Sequence, residues 1–134
     1  MNTQKTDYPH ILLAEDDEDD QEFIKVAFQK ASLSYHLHIA ENGRQVLEYL
    51  VSQHHLPCLI ILDLNMPVMD GFETLEALNQ KSEFKEIPIV ILTTSNSESD
   101  KKRCFSKGAT EYLVKPNNMT DIVKTVQSMV RHCA

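Results

Sequence analysis

Apolar residues along the chain fall into two alternating spacings. Short β-rich runs occur at His10–Ala14, Tyr35–Ala40, Cys58–Leu62, Ile87–Leu92 and Thr110–Val114, and runs this short and this apolar predict strands buried on both faces. Between them apolar positions recur at helical spacing: Phe23, Val26, Ala27 and Ala31; Val46, Leu47, Leu50 and Val51; Phe72, Leu75 and Leu78; a shorter set around Cys104 and Phe105; and Met119, Ile122, Val123, Val126 and Val130. Each set predicts a helix that lays one stripe on a sheet. Five strands alternating with five helices make a (βα)5 chain of the α/β class, a parallel sheet between two helical layers. Periodicity leaves the strand order open. Sheets of this class nevertheless bind ligands beyond the carboxyl ends of their strands, at the topological switch point.

The breaks between elements agree with this division. Gly43 and Gly71 open predicted helices and Gly108 closes one, while Pro57 and Pro88 precede strands and Pro67 and Pro116 follow them, so no proline interrupts an element. No repeat or linker divides the chain, and one domain over residues 8–132 with a short tail at 1–7 is expected.

Charge and cysteine content narrow the function. A formal net charge of -7 opposes sequence-independent binding to nucleic acid, and no apolar run approaches the ~20 residues of a membrane span. The polar N-terminus lacks a secretory layout, so the expected location is the cytoplasm. Cys58, Cys104 and Cys133 are odd in number and lack CxxC spacing, which suggests neither a disulfide framework nor a zinc site.

Chemistry gathers where the strands end. The first strand runs into Glu15-Asp16-Asp17, the third into Asp63, the fourth into Thr93-Thr94-Ser95 and the fifth into Lys115-Pro116. Asp17 to Asp20 fit the cap and first turn of a helix, where negative charge is favoured. Glu15, Asp16 and Asp63 instead terminate buried apolar runs. Three carboxylates on one rim repel by about 3 kcal/mol per pair at ~5 Å and an effective dielectric of ~20, a cost that a divalent cation removes. Oxygen ligands of this kind favour Mg²⁺, with Mn²⁺ as an alternative. An EF-hand loop is ruled out, because no glycine holds its turn and no glutamate closes twelve residues. Lys115 and the Thr93 hydroxyl could then neutralise phosphoryl oxygens, with the Asp63 carboxylate as nucleophile. Taken singly, the lysine also fits a solvated strand end and the threonine a helix cap.

Ile11-Leu12-Leu13-Ala14-Glu15-Asp16, Ile61-Leu62-Asp63-Leu64-Asn65-Met66-Pro67, Asp70-Gly71, Ile91-Leu92-Thr93, Gly108-Ala109 and Tyr112-Leu113-Val114-Lys115-Pro116 together resemble the receiver domain of bacterial response regulators, from about His10 to the last helix. The resemblance implies a flavodoxin-like fold with strand order 2-1-3-4-5 and phosphorylation by a sensor histidine kinase or a histidine phosphotransfer protein. It implies Asp63 as phosphoacceptor, Glu15 and Asp16 as the metal-binding acidic pair, and the main-chain carbonyl of Asn65 as a further ligand. By the same likeness Thr93 is the switch hydroxyl, Tyr112 the switch aromatic and Lys115 the phosphate-pairing lysine, followed by a cis bond to Pro116. Kinase specificity would lie around Gln21 to Gln29. Thr94 is larger than the residue usual after the switch threonine, and Asn117 stands where an apolar residue often follows Lys-Pro.

Two other readings share parts of this pattern. A haloacid-dehalogenase-like phosphatase also uses a strand-end aspartate with Mg²⁺, but requires a second acid where this chain has Asn65. A pseudo-receiver would keep the fold as a binding module without phosphorylation. The expected protein is a stand-alone response regulator that turns over only its own phosphoryl group. Its output would leave through a protein surface, with homodimerisation through the fourth helix, fifth strand and fifth helix as one route.

Overall fold

The computed structural model describes residues 8–53 and 56–133; the expected tail at 1–7 lies outside them. Five strands, β1 (His10–Ala14), β2 (His36–Ala40), β3 (Leu59–Leu62), β4 (Ile89–Thr93) and β5 (Glu111–Val114), alternate with α1 (Glu18–Lys30), α2 (Gly43–Ser52), α3 (Gly71–Asn79), α4 (Glu98–Ser106) and α5 (Met119–Met129). All pairings are parallel, in the order β2-β1-β3-β4-β5. This is the flavodoxin-like order that the resemblance implied. After β2 the chain returns past β1 to lay down β3, so the switch point falls between β1 and β3.

Side chains along a strand alternate between faces, and that period of two divides the core. Leu12, Ile60, Leu62, Ile89 and Ile91 pack with Val46, Leu50, Leu75, Leu78 and Cys104 of α2, α3 and α4. The intervening Ile11, Leu13, Leu59, Ile61, Val90 and Leu92 pack with Ile24, Ala27, Phe28, Ile122, Val126 and Met129 of α1 and α5. The helical stripes are narrower than their apolar residues suggest. Val51 is 71% and Phe105 50% exposed, because each lies one position beyond its helix's buried face, set by Leu50 and by Cys104.

Helix ends are fixed by side chains acting on free N–H groups. Asp17, Asn42, Asp70, Ser97 and Asn118 accept from the backbone N–H three residues on, and Asp70 with Glu73 completes a capping box. Gly71 is needed for a close approach. A Cβ there would lie 2.5 Å from the Asp63 carbonyl oxygen and 2.7 Å from Leu64 Cα, so a larger residue would push α3 off the loop that follows β3.

Two expectations are corrected by the structure. Cys58 and Cys133, 75 positions apart, form a disulfide with Cα atoms 4.9 Å apart. Parity and spacing are silent on such a pair; only the fold brings the 3-10 turn after α5, Val130–Cys133, beside the start of β3. A reducing cytosol holds such pairs as thiols, so bridge and cytoplasmic expectation pull in opposite directions. Second, no peptide bond among the described residues is cis, so Lys115–Pro116 is trans. The two isomers of a bond to proline differ by only about 0.5–1 kcal/mol, too little for sequence to fix.

The same turn is held by charge. Glu111 at the start of β5 accepts from Arg131 Nη2 at 3.1 Å and His132 Nε2 at 2.9 Å. Burial alone would raise the Glu111 carboxyl, but the hydrogen bonds from His132 and Arg131 outweigh it and hold it below its ordinary value.

Reducing the oxidised protein is expected to cost about 2–4 kcal/mol, read from urea midpoints with and without reductant; equal midpoints would show that the bridge does not constrain the unfolded chain. Before reduction no thiol should react in the native state, since Cys104 is fully buried and burial pushes its thiol up to about 11.

Glu111, with its lowered value, contributes stability above the unfolded carboxylate pKa and loses it as pH falls through the folded one. Glu111→Gln should therefore be less stable than the wild type at pH 7, with the gap closing in acid. Midpoints measured at both ends check this, and a gap that widens in acid would contradict the assignment.

Candidate functional site

Three hydrogen-bond ladders run one residue past their strands at the carboxyl end of the sheet, and this sets the backbone of the site. The Glu15 N–H donates to the Ala40 carbonyl at 2.9 Å, the Asp63 N–H to the Ala14 carbonyl at 3.0 Å and the Lys115 N–H to the Thr93 carbonyl at 2.7 Å. Glu15 and Asp63 therefore stand side by side at the carboxyl ends of β1 and β3. Both are buried, while Asp16 is exposed. One carboxylate oxygen from each of the three lies within 4.8 Å of the others.

Lys115 reaches this group from β5. Its Nζ donates to Glu15 Oε1 at 2.5 Å, Asp20 Oδ2 at 2.9 Å and Asp63 Oδ2 at 3.4 Å. Asp63 Oδ1 accepts from the Leu64 N–H at 2.8 Å, and the Glu15 carboxylate accepts from the Asp17 N–H. One ammonium against this many carboxylates leaves negative charge in excess. Burial first, with Asp63 adding to it, raises Glu15 to about 7 against the hydrogen bonds from Lys115 and Asp17. Burial would lower Lys115, but its hydrogen bonds to Glu15 and Asp20 and the charge of Asp63 move it upward instead, so the ammonium stays charged. An all-oxygen donor set that draws in the nearest cation fits a hard divalent ion, whose opposite ligands sit roughly 4 Å apart.

Asp20 corrects the sequence reading, which gave it only to the helix dipole. The signal was its helical register: Asp20 lies four and seven positions before Ile24 and Ala27, on the buried side of α1. Gln21, expected only as the start of the kinase-specificity stretch, is buried and donates from Nε2 to the Glu15 carbonyl at 2.7 Å.

The other named residues lie around this centre. Asn65 is exposed in the β3–α3 loop, where Val68 takes φ 66° and the Met69 N–H donates to the Pro67 carbonyl at 2.6 Å. A β-branched residue in a left-handed γ-turn is strained by roughly 1–3 kcal/mol. Thr93 is fully buried at the end of β4, whereas Thr94 is exposed. The Ser95 N–H donates to Thr93 Oγ1 at 3.4 Å, and Tyr112 Oη donates to the Ser95 carbonyl at 2.9 Å. Ser95 is the link that the sequence did not reveal. The Tyr112 ring packs in the core, with its hydroxyl turned to the Ser95 carbonyl. Beside the rim a cavity of about 400 Å³ opens between α1 and the β5–α5 loop, lined by Asp20, Phe23, Ile24, Lys115 and Pro116 among others.

A doubly wound parallel sheet with an acidic, lysine-closed rim at its switch point defines an α/β module built to handle a cation and an anion together. The chain belongs to the response regulator receiver domain family, which it matches over residues 11–127. It is 34% identical to the response regulator Rcp1 of Synechocystis, over 89% of this chain and 84% of that protein. It is 32% identical to the probable methanogenesis regulatory protein FilR2 of Methanothrix harundinacea, over 89% and 79%. Among solved structures, Mn²⁺-bound Rcp1 superposes with a TM-score of 0.80 at 33% identity and 91% coverage of both chains. The phosphorylated cyanobacterial phytochrome response regulator RcpA does so with 0.85, at 27% identity and 93% of both. The family is a two-component signalling module, and among the described residues no helix is long and apolar enough to cross a membrane.

If the Lys115 ammonium balances the rim, Lys115→Met should lower metal-free stability by roughly 2 kcal/mol, under the 3–5 of a fully buried pair because Asp20 is partly exposed. Asp63→Asn, which removes a repelling charge, should raise it. Urea midpoints in chelator check both, and shifts of the same sign would refute the charge balance.

Proposed function

We propose that the protein is a stand-alone receiver that accepts a phosphoryl group on Asp63 from a phosphohistidine of a sensor histidine kinase or a histidine phosphotransfer protein. The observation that carries this is the meeting of Glu15, Asp16 and Asp63 within 4.8 Å under the ammonium of Lys115. A bond forms between an Asp63 carboxylate oxygen and phosphorus, the P–N bond of the donor breaks, and its electron pair returns to the imidazole. Catalysis of such a transfer is mainly positioning and charge stabilisation.

Glu15, Asp16, Asp63 and the Asn65 carbonyl would hold Mg²⁺, or Mn²⁺, which supplies positive charge to a phosphoryl oxygen. Lys115, freed from Glu15 and Asp20, would pair with a second oxygen, and the Thr93 hydroxyl would donate to a third. The cavity beside α1 and the β5–α5 loop, acidic at Asp19 and Asp20 and apolar at Phe23, Ile24 and Ile122, suits the docking of a helical phosphodonor. The receiver domain occupies residues 8–132, works in the cytoplasm with the Cys58–Cys133 pair reduced, and binds no nucleic acid.

Output follows from the Ser95 peptide, held at its N–H by Thr93 and at its carbonyl by Tyr112. Drawing the Thr93 hydroxyl toward the phosphoryl group would release the N–H and bias the loop before α4. That would change the face of α4, β5 and α5, where a partner or a second copy would dock.

Acetyl phosphate with Mg²⁺ should add one phosphoryl mass to the wild type and none to Asp63→Asn. Thr93→Ala and Tyr112→Phe should still be labelled but lose most of the phosphorylation-dependent shift in amide signals of α4 and β5. Equal labelling of Asp63→Asn, or labelling that survives a chelator, would overturn the assignment. Catalytic release of phosphate from small phosphoesters would favour the phosphatase reading.

A further inference from the structure

The opposite edge of the sheet carries a second cluster. His10 and His36 are the first residues of β1 and β2 and pair in register, and His38 lies two residues further on, beside Leu12. Strand alternation puts all three imidazoles on the face covered by α2. Their rings form a stack: the centroid of His10 lies 4.8 Å from that of His36 and 5.0 Å from that of His38, with interplanar angles of 27° and 16°. Tyr8 packs on His36 at one end and Tyr49 on His38 at the other. His10 Nδ1 and His38 Nε2 are 2.8 Å apart. Among the described residues no carboxylate pairs with any of the three, and the Tyr49 hydroxyl is buried without a hydrogen-bond partner.

We propose that His10 and His38 form a second cation site that takes a borderline divalent transition metal, Cu²⁺ above all. Nitrogen-only donors without thiolate or carboxylate exclude Mg²⁺ and Ca²⁺ and suit Cu²⁺, Ni²⁺ or Zn²⁺. Among these, Cu²⁺ binds a given nitrogen donor set most tightly, and His10 Nδ1 and His38 Nε2 are already joined head-on by a hydrogen bond. The cation replaces the proton shared between them, and a water it carries reaches the orphan Tyr49 hydroxyl. β2 is an edge strand, so the ion would clamp the open edge to β1. The acidic rim lies at the other end of β1, five residues or roughly 16 Å away, and the two sites are independent.

The test uses the untagged full-length chain with Cu²⁺ alone as probe, against a glycine competitor. One equivalent should bind with nitrogen hyperfine structure in its electron paramagnetic resonance spectrum. His10→Gln and His38→Gln should each weaken it at least tenfold, and Asp16→Asn should leave it unchanged. A smaller loss in either histidine variant, or loss in Asp16→Asn, overturns the site and leaves a stacked imidazole edge only. Where a histidine variant fails to fold, amide broadening in the wild type decides: broadening centred on His10, His36 and His38 supports the site, and broadening centred elsewhere overturns it.

Discussion

The ammonium of Lys115 is the interaction on which the rest of the site depends. It touches Glu15, Asp20 and Asp63, which come from β1, α1 and β3, and these carboxylates would otherwise meet with nothing between them. The reach explains the sequence around it. β5 is separated from β3 by β4, so at a strand spacing of about 4.8 Å the lysine must cross roughly 10 Å over the end of β4. A large side chain at the last position of β4 would block that path. Thr93 is compact, fully buried and still able to offer a hydroxyl.

Charge excess gives the site its chemistry. A single ammonium does not neutralise Glu15, Asp16, Asp20 and Asp63 together, and burial, with the charge of Asp63 adding to it, holds the Glu15 carboxyl up at about 7. A proton or a divalent cation at the rim would relieve that repulsion. The backbone around it is fixed: Leu64 holds one oxygen of Asp63, and Gly71 lets α3 sit against the Asp63 carbonyl. Asp63 is thus held by backbone, whereas Lys115 reaches the rim on a long side chain from β5.

Much of the fold was legible because burial on both faces writes strands as continuous apolar runs. His10–Ala14 agrees to the residue, and the other boundaries differ by one or two positions. Strand order came from family resemblance, since period-two patterning gives faces and not neighbours. Glu15, Asp16, Asp63 and Lys115 stood out because charge directly after an apolar strand is conspicuous. Asp20 did not, because an acid in the first turn of a helix already has a sufficient explanation in the dipole. Ser95 acts through its peptide, which leaves no trace in residue type. The Cys58–Cys133 bridge joins positions that only the finished fold makes neighbours.

Donor chemistry separates what the two ends of β1 can bind. At its carboxyl end the side chains offer only oxygen, held close to a lysine that competes for the same space, so a hard ion that keeps its own waters and accepts a phosphoryl oxygen is favoured over a tightly held one. At its amino end His10, His36 and His38 offer nitrogen, packed between two tyrosine rings. Affinity alone would send a transition metal to both ends, because its preference for any donor set exceeds that of Mg²⁺. Lys115 already stands against the rim carboxylates, so any cation that enters there must displace its ammonium.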